Sequence, residues 1–209
     1  MWEVRAKFFE REYDRRGNLV FSFPLDLTHF AAWSQTAGKY FERGKNMGFF
    51  DKLFGKKNAG NGICAPIAGQ AVSIKEVPDP TFAEELLGKG IAIIPSEGKV
   101  VAPCDATVDM MFPTGHAVSL IADAGAEILI HVGLETVNLQ GQHFTVHCNN
   151  GDKVKKGQLL IEMDLDAIKA AGYNTITPVV ICNSADYSTF NTTTGKAVTN
   201  ADVVIELAM

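Results

Sequence analysis

The segment HAVSLIADAGAEILIHVG, residues 116–133, decides the fold. Two runs rich in apolar residues, 116–122 and 126–132, flank the turn-forming residues 123–125. Short alternating runs joined by a tight turn that contains Asp and Gly are typical of an antiparallel hairpin. The segment therefore predicts a β-hairpin that carries two histidines, His116 and His131.

The length of the hairpin loop determines whether the two histidines meet, because side chains alternate between the two faces of a strand. A two-residue loop at Asp123 and Ala124 makes His116 and His131 direct cross-strand neighbours. A shift of that loop by one residue makes them diagonal neighbours, and their β-carbons are then about 4.5–8 Å apart. A three-residue loop, 123–125, breaks this register by one step. We expect the two-residue loop, and therefore two imidazoles on one face of the sheet.

The chain from Ile63 onward repeats this kind of pattern. Short Val- and Ile-rich runs alternate with clusters of Gly, Pro and Asp, at spacings typical of an all-β sandwich or barrel. Residues 65–72 and 102–108 both begin with Ala-Pro and carry a small residue three positions after the proline, which indicates a hairpin unit used twice. Helix signals are sparse.

Two stretches are expected to form short helices. Pro80 and Thr81 favour a turn or two of helix that Gly88 closes. A second helix is expected to be capped by Asp164 or Asp166 and to end at Gly172.

The composition is that of a soluble globular protein. Apolar residues make up 46% and charged residues 21% of the 209 residues, and no stretch approaches the ~18 consecutive apolar residues of a membrane span. A net charge of −5 without a compact Lys and Arg cluster argues against nucleic acid as a partner. The four cysteines form no C-x-x-C pair, so neither a disulfide framework nor a cysteine zinc site is expected, and reduced thiols fit a cytoplasmic protein.

The chain divides into three parts. Residues 1–46 form an atypical N-terminal extension with a charge-dense opening, RAKFFEREYDRR. Residues 47–60, MGFFDKLFGKKNAG, combine an amphipathic tail with a flexible joint, and residues 61–209 form the main domain. We expect weak contact of residues 47–57 with an anionic membrane surface; the alternative is that their phenylalanines pack on the domain.

A pair of histidines on an otherwise apolar hairpin indicates a catalytic or ligand-binding site. A single histidine on such a strand is more often a satisfied core residue. Two facing imidazoles have four ring nitrogens, each of which costs on the order of 1–3 kcal/mol if it is buried without a partner, so we expect a shallow site open to solvent. Gly133 leaves room for another molecule beside His131, and the Thr114 hydroxyl is placed to accept from one ring nitrogen and so fix the tautomer of that ring.

Metal binding and nucleophilic catalysis both suit such a pair. Two histidines leave a zinc site short of ligands, and we expect His143 and His147, on a different segment, at the surface or a sheet edge. As a nucleophile, a neutral imidazole nitrogen attacks a phosphoryl group while the second ring donates a hydrogen bond to its oxygens. The chain lacks a G-x-x-x-x-G-K-[ST] loop, so the phosphoryl group is expected to come from another protein and not from ATP.

Several motifs of residues 60–209 occur together in a distinctive order: GICAPIAGQAV, VPDPTFAEELLGKGIAIIP, KVVAPCDATV, FPTGHAVSL, EILIHVGLETVNLQG and GDKVKKGQLLIEMDLDAI. They closely resemble the glucose-type enzyme IIA component (EIIA) of the bacterial phosphoenolpyruvate-dependent sugar phosphotransferase system. The resemblance implies an all-β fold, a compact antiparallel β-sandwich or barrel of the duplicated hybrid-barrel type, with one or two short helices.

The resemblance also implies a phosphotransferase role in sugar uptake. It assigns to His131 the acceptance of a phosphoryl group from the phosphocarrier protein HPr and its transfer to a cysteine of a sugar-specific EIIB domain. His116 matches the histidine that supports the phosphoryl group, and Thr114 matches the residue that hydrogen-bonds this second histidine. The EIIB and EIIC partners choose the sugar, so the sequence predicts none.

A docking surface around the histidines is implied as well. Its apolar ring for HPr and EIIB comprises Phe82, Leu86, Leu87, Phe112 and Leu129, with Gly133 beside His131, and with Asp79 and Glu135 as acidic neighbours for basic partner residues. We expect no intrinsic metal or cofactor, but a ligand lent by a partner protein would allow zinc to bind at His116 and His131.

Three other interpretations stay open. A biotinyl or lipoyl carrier fits the hairpin GDKVKKGQLLIEMD, but it needs an exposed lysine at a tight turn, and none stands out. A zinc-dependent hydrolase on a related barrel needs a third protein ligand, usually from an H-x-H pair that the chain lacks. A regulatory protein that binds permeases or kinases according to its phosphorylation state is compatible with phosphoryl transfer.

Overall fold

The computed structural model describes residues 12–13, 19–20 and 61–209, which fall in two compact units, 1–57 and 58–209. In the first unit, β1 (Glu12–Tyr13) pairs antiparallel with β2 (Leu19–Val20). The rest of the predicted extension and the amphipathic tail and joint, 47–60, lie outside the described residues. The three-part division and the membrane contact therefore stay predictions.

The second unit is built almost entirely of antiparallel strands, which confirms the predicted all-β fold class. Its strands are β3 (Asn61–Cys64), β4 (Gly69–Ser73), β5 (Lys89–Pro95), β6 (Lys99–Val101), β7 (Ala106–Met111), β8 (Ala117–Ala122), β9 (Glu127–His131), β10 (Phe144–Val146), β11 (Lys153–Val154), β12 (Leu159–Met163), β13 (Thr177–Ile181), β14 (Thr189–Thr192), β15 (Lys196–Val198) and β16 (Val203–Ala208). An eight-stranded sheet has the order β11-β7-β8-β9-β13-β5-β4-β15, and two three-stranded sheets have the orders β10-β12-β6 and β14-β16-β3.

This unit uses one strand arrangement twice. β6 pairs with β12 as β3 pairs with β16, and the register is irregular at the corresponding place in both pairs, between Leu159 and Ile161 of β12 and between Val203 and Ile205 of β16. An irregularity repeated at the same step indicates two copies of one supersecondary unit. The duplication predicted from the Ala-Pro segments is therefore confirmed.

The Ala-Pro segments tie the two copies together. The N–H of Cys64 donates to the carbonyl oxygen of Pro103 at 3.1 Å, and the N–H of Val101 donates to the carbonyl oxygen of Pro66 at 2.7 Å. Each donor lies two residues before the proline of its own copy, so the two bonds are reciprocal. The repeated segment thus serves as the joint between the copies.

The copies differ at the position of His131. Val180 of β13 lies opposite Gly90 of β5, as His131 of β9 lies opposite Ala117 of β8. β5 corresponds to β8 in the duplication, because it pairs with β4 as β8 pairs with β7. Val180 therefore occupies the position that His131 occupies in the other copy, and one copy alone carries the site.

Apolar side chains pack on both faces of the eight-stranded sheet. Along β8 and β9, Val118 and Ile130 belong to the main core, whereas Ala117 and Leu129 belong to a second, smaller cluster. Successive side chains of a strand point to opposite faces, so the second cluster lies on the other side of the sheet. This outer-face cluster consists of Val72, Ile74, Val77, Phe82, Ala92, Ala117, Leu129, Leu134, Ile176 and Val180, with Leu87, Phe112 and Cys182 packed against it.

The two short helices begin where the sequence predicts them, but the first ends at Ala83 and does not continue to the predicted end at Gly88. Helix α1 (Pro80–Ala83) is capped by Asp79, whose carboxylate accepts from the N–H of Thr81 at 2.8 Å. Helix α2 (Leu165–Ala170) is capped by Asp164, which accepts from the N–H of Ala167 at 3.0 Å, so Asp164 is the cap of the two candidates. Three-residue and four-residue 3₁₀ turns span Ile74–Glu76, Thr136–Leu139 and Ser184–Asp186. In the described ranges, no helix combines the length and the apolar character needed to cross a bilayer.

Candidate active site

The loop of the β8–β9 hairpin has three residues and not the predicted two. Ala117 lies opposite His131, and residues 123–125 form the turn between the strands. Gly125 has a φ of +95°, a conformation that glycine adopts without steric cost. The predicted direct pairing of His116 with His131 is therefore wrong by one position.

The two imidazoles nevertheless meet. Their ring centroids lie 5.1 Å apart with an interplanar angle of 76°. His116 precedes the first residue of β8 and follows Gly115, whose φ is +66°, so its side chain does not follow the alternation of the strand. Its carbonyl oxygen accepts from the N–H of Val132 at 2.7 Å, which holds the residue at the end of β9. The turn before β8, and not the strand register, brings the rings together.

His131 is a partly exposed, neutral imidazole at the end of β9. Its Nδ1 lies 2.7 Å from the carbonyl oxygen of Gly133. A carbonyl oxygen only accepts, so Nδ1 carries the proton and Nε2 of the neutral ring keeps its lone pair. Burial lowers the pKa of His131, and this effect is opposed by the Gly133 hydrogen bond and by the charge of Asp79. The Nε2 atom of the neutral His131 ring is therefore left with a lone pair that is not used by the Gly133 hydrogen bond.

His116 is the more enclosed of the two rings. It is 6% exposed, and its Nδ1 lies 2.5 Å from Oγ1 of Thr114, which confirms the predicted contact. When the hydroxyl donates to Nδ1, the proton of the neutral ring resides on Nε2, which then serves as a donor. Phe112 packs edge-on against the ring, with centroids 5.3 Å apart. The expected open, shallow site is thus realised at His131, whereas His116 is buried and held by its neighbours.

Gly133 serves the packing of the chain itself. Its φ is +77°, and a β-carbon there would lie 2.7 Å from Cγ2 of Thr136 and 2.9 Å from the carbonyl oxygen of Asn174. The room for another molecule that the sequence predicts at this glycine is filled by the protein's own atoms. The glycine lets the segment after β9 approach Asn174 closely, and this approach places the carbonyl group that holds His131.

The residues of the predicted docking ring differ widely in exposure. Leu86 is 68% exposed, but Phe82 and Leu129 are each 5% exposed. The others are Leu87, Phe112 and Asp79, which are partly buried, and Glu135, which is exposed. Phe82 and Leu129 offer little surface to a partner, because they are covered within the outer-face cluster. The ring of Phe82 instead contacts that of His131, with centroids 5.3 Å apart and a tilt of 57°.

Two residues that support the site were not predicted. Oγ1 of the fully buried Thr136 donates to the carbonyl oxygen of Val132 at 2.6 Å. The carbonyl oxygen of Asn174 accepts from the N–H of Leu134 at 2.8 Å, while its Oδ1 accepts from the N–H of Ile176 at 2.9 Å. Asparagine before a strand favours such a turn and was an available signal. The sequence around Thr136 gave no such signal, because the burial of this residue depends on the fold.

The two histidines of the segment QGQHFTVHC lie at the surface, as predicted. His143 and His147 are exposed, and Nε2 of His147 lies 2.9 Å from a carboxylate oxygen of Glu162. Among residues 61–209, the part of the main domain that the structure describes, no group of three or more His, Cys, Asp and Glu side chains is arranged to hold a metal ion. The hydrolase alternative therefore lacks its third ligand there.

Two further reactive side chains are poorly suited to covalent chemistry. Lys155 is exposed in the turn between β11 and β12, as a biotinyl or lipoyl carrier requires, but its ammonium lies 2.8 Å from a carboxylate oxygen of Asp105. That hydrogen bond raises the pKa of Lys155 and engages its ammonium group. Burial raises the pKa of Cys182 to about 12, so this thiol does not supply the cysteine of an EIIB domain.

Comparison with known proteins shows that the main domain has relatives in sequence and in fold. The glucose-specific EIIA component of Halalkalibacterium halodurans is 46% identical over 150 residues, which cover 68% of this chain and 87% of that protein. The solved structure of glucose permease IIA from Mycoplasma capricolum superposes with a TM-score of 0.65 at 32% identity, covering 69% of this chain and 93% of that one.

A longer relative shares the same region. The beta-glucoside-specific EIIBCA component of Dickeya chrysanthemi is 50% identical over 125 residues, and the match covers 60% of this chain and 20% of that protein. This chain thus spans about a fifth of the length of that relative. Residues 51–187 match the sequence profile of the phosphoenolpyruvate-dependent sugar phosphotransferase system, EIIA 1. The match over most of the main domain, together with the shared fold, shows that the chain belongs to this EIIA family of phosphotransferase components.

Proposed function

We propose that this protein carries a phosphoryl group on His131 during sugar uptake. The observation that carries the proposal is the setting of that ring, which is partly exposed and has its Nδ1 proton held by the carbonyl oxygen of Gly133. These two features leave the Nε2 lone pair available for attack on phosphorus. Phospho-HPr is the proposed donor.

The transfer balances without a free phosphate ion. Nε2 of His131 forms a P–N bond while the bond between phosphorus and the donor nitrogen breaks. The donor ring, protonated on its other nitrogen, leaves as a neutral imidazole. The His131 ring keeps its Nδ1 proton and becomes positively charged, and the Gly133 carbonyl and the Asp79 carboxylate favour that charge.

His116 supports the phosphoryl group in this proposal. With Thr114 donating to its Nδ1, the neutral ring carries its proton on Nε2, and its centroid lies 5.1 Å from that of His131. A hydrogen bond from this ring to a phosphoryl oxygen is charge-assisted and is worth about 1.5–3 kcal/mol. Its burial beside Phe112 restrains the donor before the phosphoryl group arrives, so little ordering is needed during transfer.

The proposed acceptor is the cysteine thiolate of an EIIB domain. The phosphoryl group leaves Nε2 of His131 and forms a P–S bond, and the ring returns to its neutral form when its positive charge is lost with the P–N bond. The name of the Dickeya chrysanthemi relative joins EIIB and EIIC to EIIA, which supports these two as partners. Of the proposed docking residues, Leu86 is an exposed apolar side chain, and Asp79 and Glu135 supply two carboxylates that suit partners with basic residues.

One experiment tests the function. The protein is incubated with phosphoenolpyruvate, enzyme I and HPr, and the phosphorylated residue is mapped. We expect an acid-labile, base-stable phosphoryl group on His131, none in the His131→Gln variant, and transfer to a purified EIIB domain. A phosphoryl group on any other residue, or none on the wild-type protein, would contradict the proposal.

Zinc shared with a partner protein is a separate proposal for the same pair. Two imidazoles 5.1 Å apart supply half of a tetrahedral coordination shell, so a carboxylate or thiolate from the partner would have to contribute. Such an assembly, or phosphorylation-dependent binding of permeases and kinases, would give the carrier a regulatory role. Zinc that strengthens complex formation by the wild-type protein, but not by His116→Gln, would support this role.

A further inference from the structure

The ring of Phe82 occupies a place in the site that partner docking does not explain. It is 5% exposed, so it adds little area to an interface with another protein. Its centroid nevertheless lies 5.3 Å from that of the His131 ring, at a tilt of 57°. The contact is thus made inside the protein, against the imidazole that carries the chemistry.

Phe82 is itself held firmly. Asp79 caps helix α1 through its carboxylate, and its carbonyl oxygen accepts from the N–H groups of Phe82 at 3.1 Å and Ala83 at 2.9 Å. Pro80 at the first position of the helix fixes the backbone φ there. The Phe82 side chain belongs to the outer-face cluster together with Leu129. A side chain with so little freedom is able to restrain its neighbour.

The hydrogen bond to Gly133 does not by itself fix the orientation of the His131 ring. It fixes Nδ1 at 2.7 Å from the carbonyl oxygen, but a single hydrogen bond allows the ring to tilt about that contact. The ring of His116 lies against a second side of the imidazole, with centroids 5.1 Å apart. Phe82 supplies a further contact, and this one is made by an apolar ring that also displaces water.

We infer that Phe82 is a positioning residue for phosphoryl transfer: its ring packs against the His131 imidazole, keeps Nε2 in one direction and covers part of the ring from water. This inference rests on the proposed function of His131. Restraint of the reacting nitrogen lowers the ordering needed to reach the transition state. Exclusion of water from the ring slows the loss of the phosphoryl group by hydrolysis.

The test compares Phe82→Leu with Phe82→Tyr, which keeps the aromatic ring, and with Phe190→Leu as a matched control. Phe190 is a partly buried aromatic residue on β14. Aromatic contacts of this kind are weak, so we expect Phe82→Leu to lower kcat for phosphorylation by phospho-HPr about two- to tenfold, with KM for HPr nearly unchanged. The half-life of the isolated phosphoprotein should shorten by a similar factor. Phe82→Tyr and Phe190→Leu should behave like the wild type.

NMR titration of the unphosphorylated protein supplies an independent readout. Burial lowers the pKa of His131, so replacing the covering ring should raise that pKa and broaden the imidazole signals. The ionisable neighbours of His131, which are His116 and Asp79, are not substituted in this variant. If Phe82→Leu is unstable, Phe82→Met provides the same loss of the ring. A higher KM with an unchanged hydrolysis half-life and an unchanged His131 pKa would show a docking role and overturn the inference. A wild-type protein that accepts no phosphoryl group would refute the function, while the titration would still decide whether Phe82 restrains the ring.

Discussion

The carbonyl oxygen of Gly133 lies 2.7 Å from Nδ1 of His131, two residues earlier in the chain. The bond selects the tautomer of the proposed nucleophile, and it depends on a backbone conformation with a φ of +77° that only glycine adopts at low cost. A local backbone feature therefore controls the chemistry of the ring.

Gly133→Ala should destabilise the protein and impair phosphorylation together. The new β-carbon would lie 2.7 Å from Thr136 Cγ2 and 2.9 Å from the Asn174 carbonyl oxygen. Left-handed strain of about 1–2 kcal/mol and overpacking of about 1–3 kcal/mol are expected to add. Denaturant unfolding and the rate of phosphorylation measure the two effects.

Gly125→Ala is the matched control for that substitution. Gly125 has a φ of +95°, but nothing lies within 4 Å of an added β-carbon. Only the backbone strain of about 1–2 kcal/mol should remain, and phosphorylation of the folded protein should be unchanged. Equal losses of activity in the two variants would contradict the role of the Gly133 carbonyl.

His116→Gln should slow transfer to EIIB more than acceptance from phospho-HPr. Glutamine keeps a donor but loses the rigid ring that Thr114 and Phe112 hold beside the phosphoryl group. The loss of a charge-assisted bond of about 1.5–3 kcal/mol corresponds to roughly ten- to a hundredfold in rate. Single-turnover measurements of each half-reaction separate the two steps, and equal losses in both would refute the assignment. Thr114→Val should produce a smaller change in the same direction, and Thr114→Ser should restore the rate.

The stability of the folded protein should decrease as the pH falls below the ordinary histidine pKa of about 6.5. Burial lowers the pKa of His131 in the folded state, so the unfolded chain binds a proton at a higher pH than the folded one. Above that range His131 is neutral in both the folded and the unfolded chain, so it does not make the stability depend on pH. Within the window between the two pKa values, protonation favours unfolding. Unfolding free energies at pH 5 and pH 7.5 should therefore differ more in the wild type than in His131→Gln, and parallel behaviour of the two proteins would refute this expectation.

Asp79 combines a helix cap with an electrostatic effect, and two substitutions separate these roles. Asparagine is as good an N-cap as aspartate, whereas alanine costs about 0.5–2 kcal/mol. Both Asp79→Asn and Asp79→Ala remove the negative charge that raises the pKa of His131, so an NMR titration should show a lower His131 pKa in both. Only Asp79→Ala should weaken α1 and reduce the thermal stability. A His131 pKa that stays unchanged in Asp79→Asn would refute the electrostatic effect.

Local signals in the sequence predicted the elements of the fold and the two histidines that the structure brings together. The alternation of the strands, the Ala-Pro repeat, the helix start at Pro80 and Thr81, and the cap at Asp164 each depend on residues within a few positions of one another. His116, His131 and Thr114 were found for the same reason, since they lie on one hairpin and the turn before it. The exposure of His143 and His147 likewise followed from their segment.

Only the tertiary structure decided how these parts meet. The residues DAG at 123–125 are compatible with a loop of two or three residues. The folded protein has the three-residue loop, so Ala117 lies opposite His131. The turn at Gly115 then places the ring of His116 beside that of His131. The burial of Phe82 and Leu129, and the close approach of Gly133 to Asn174, depend on segments that are 40 or more residues apart in the chain. Nearby residues determine strands, turns and caps, but the position of a reacting nitrogen depends on long-range packing, because distant side chains and backbone groups fill the space around it.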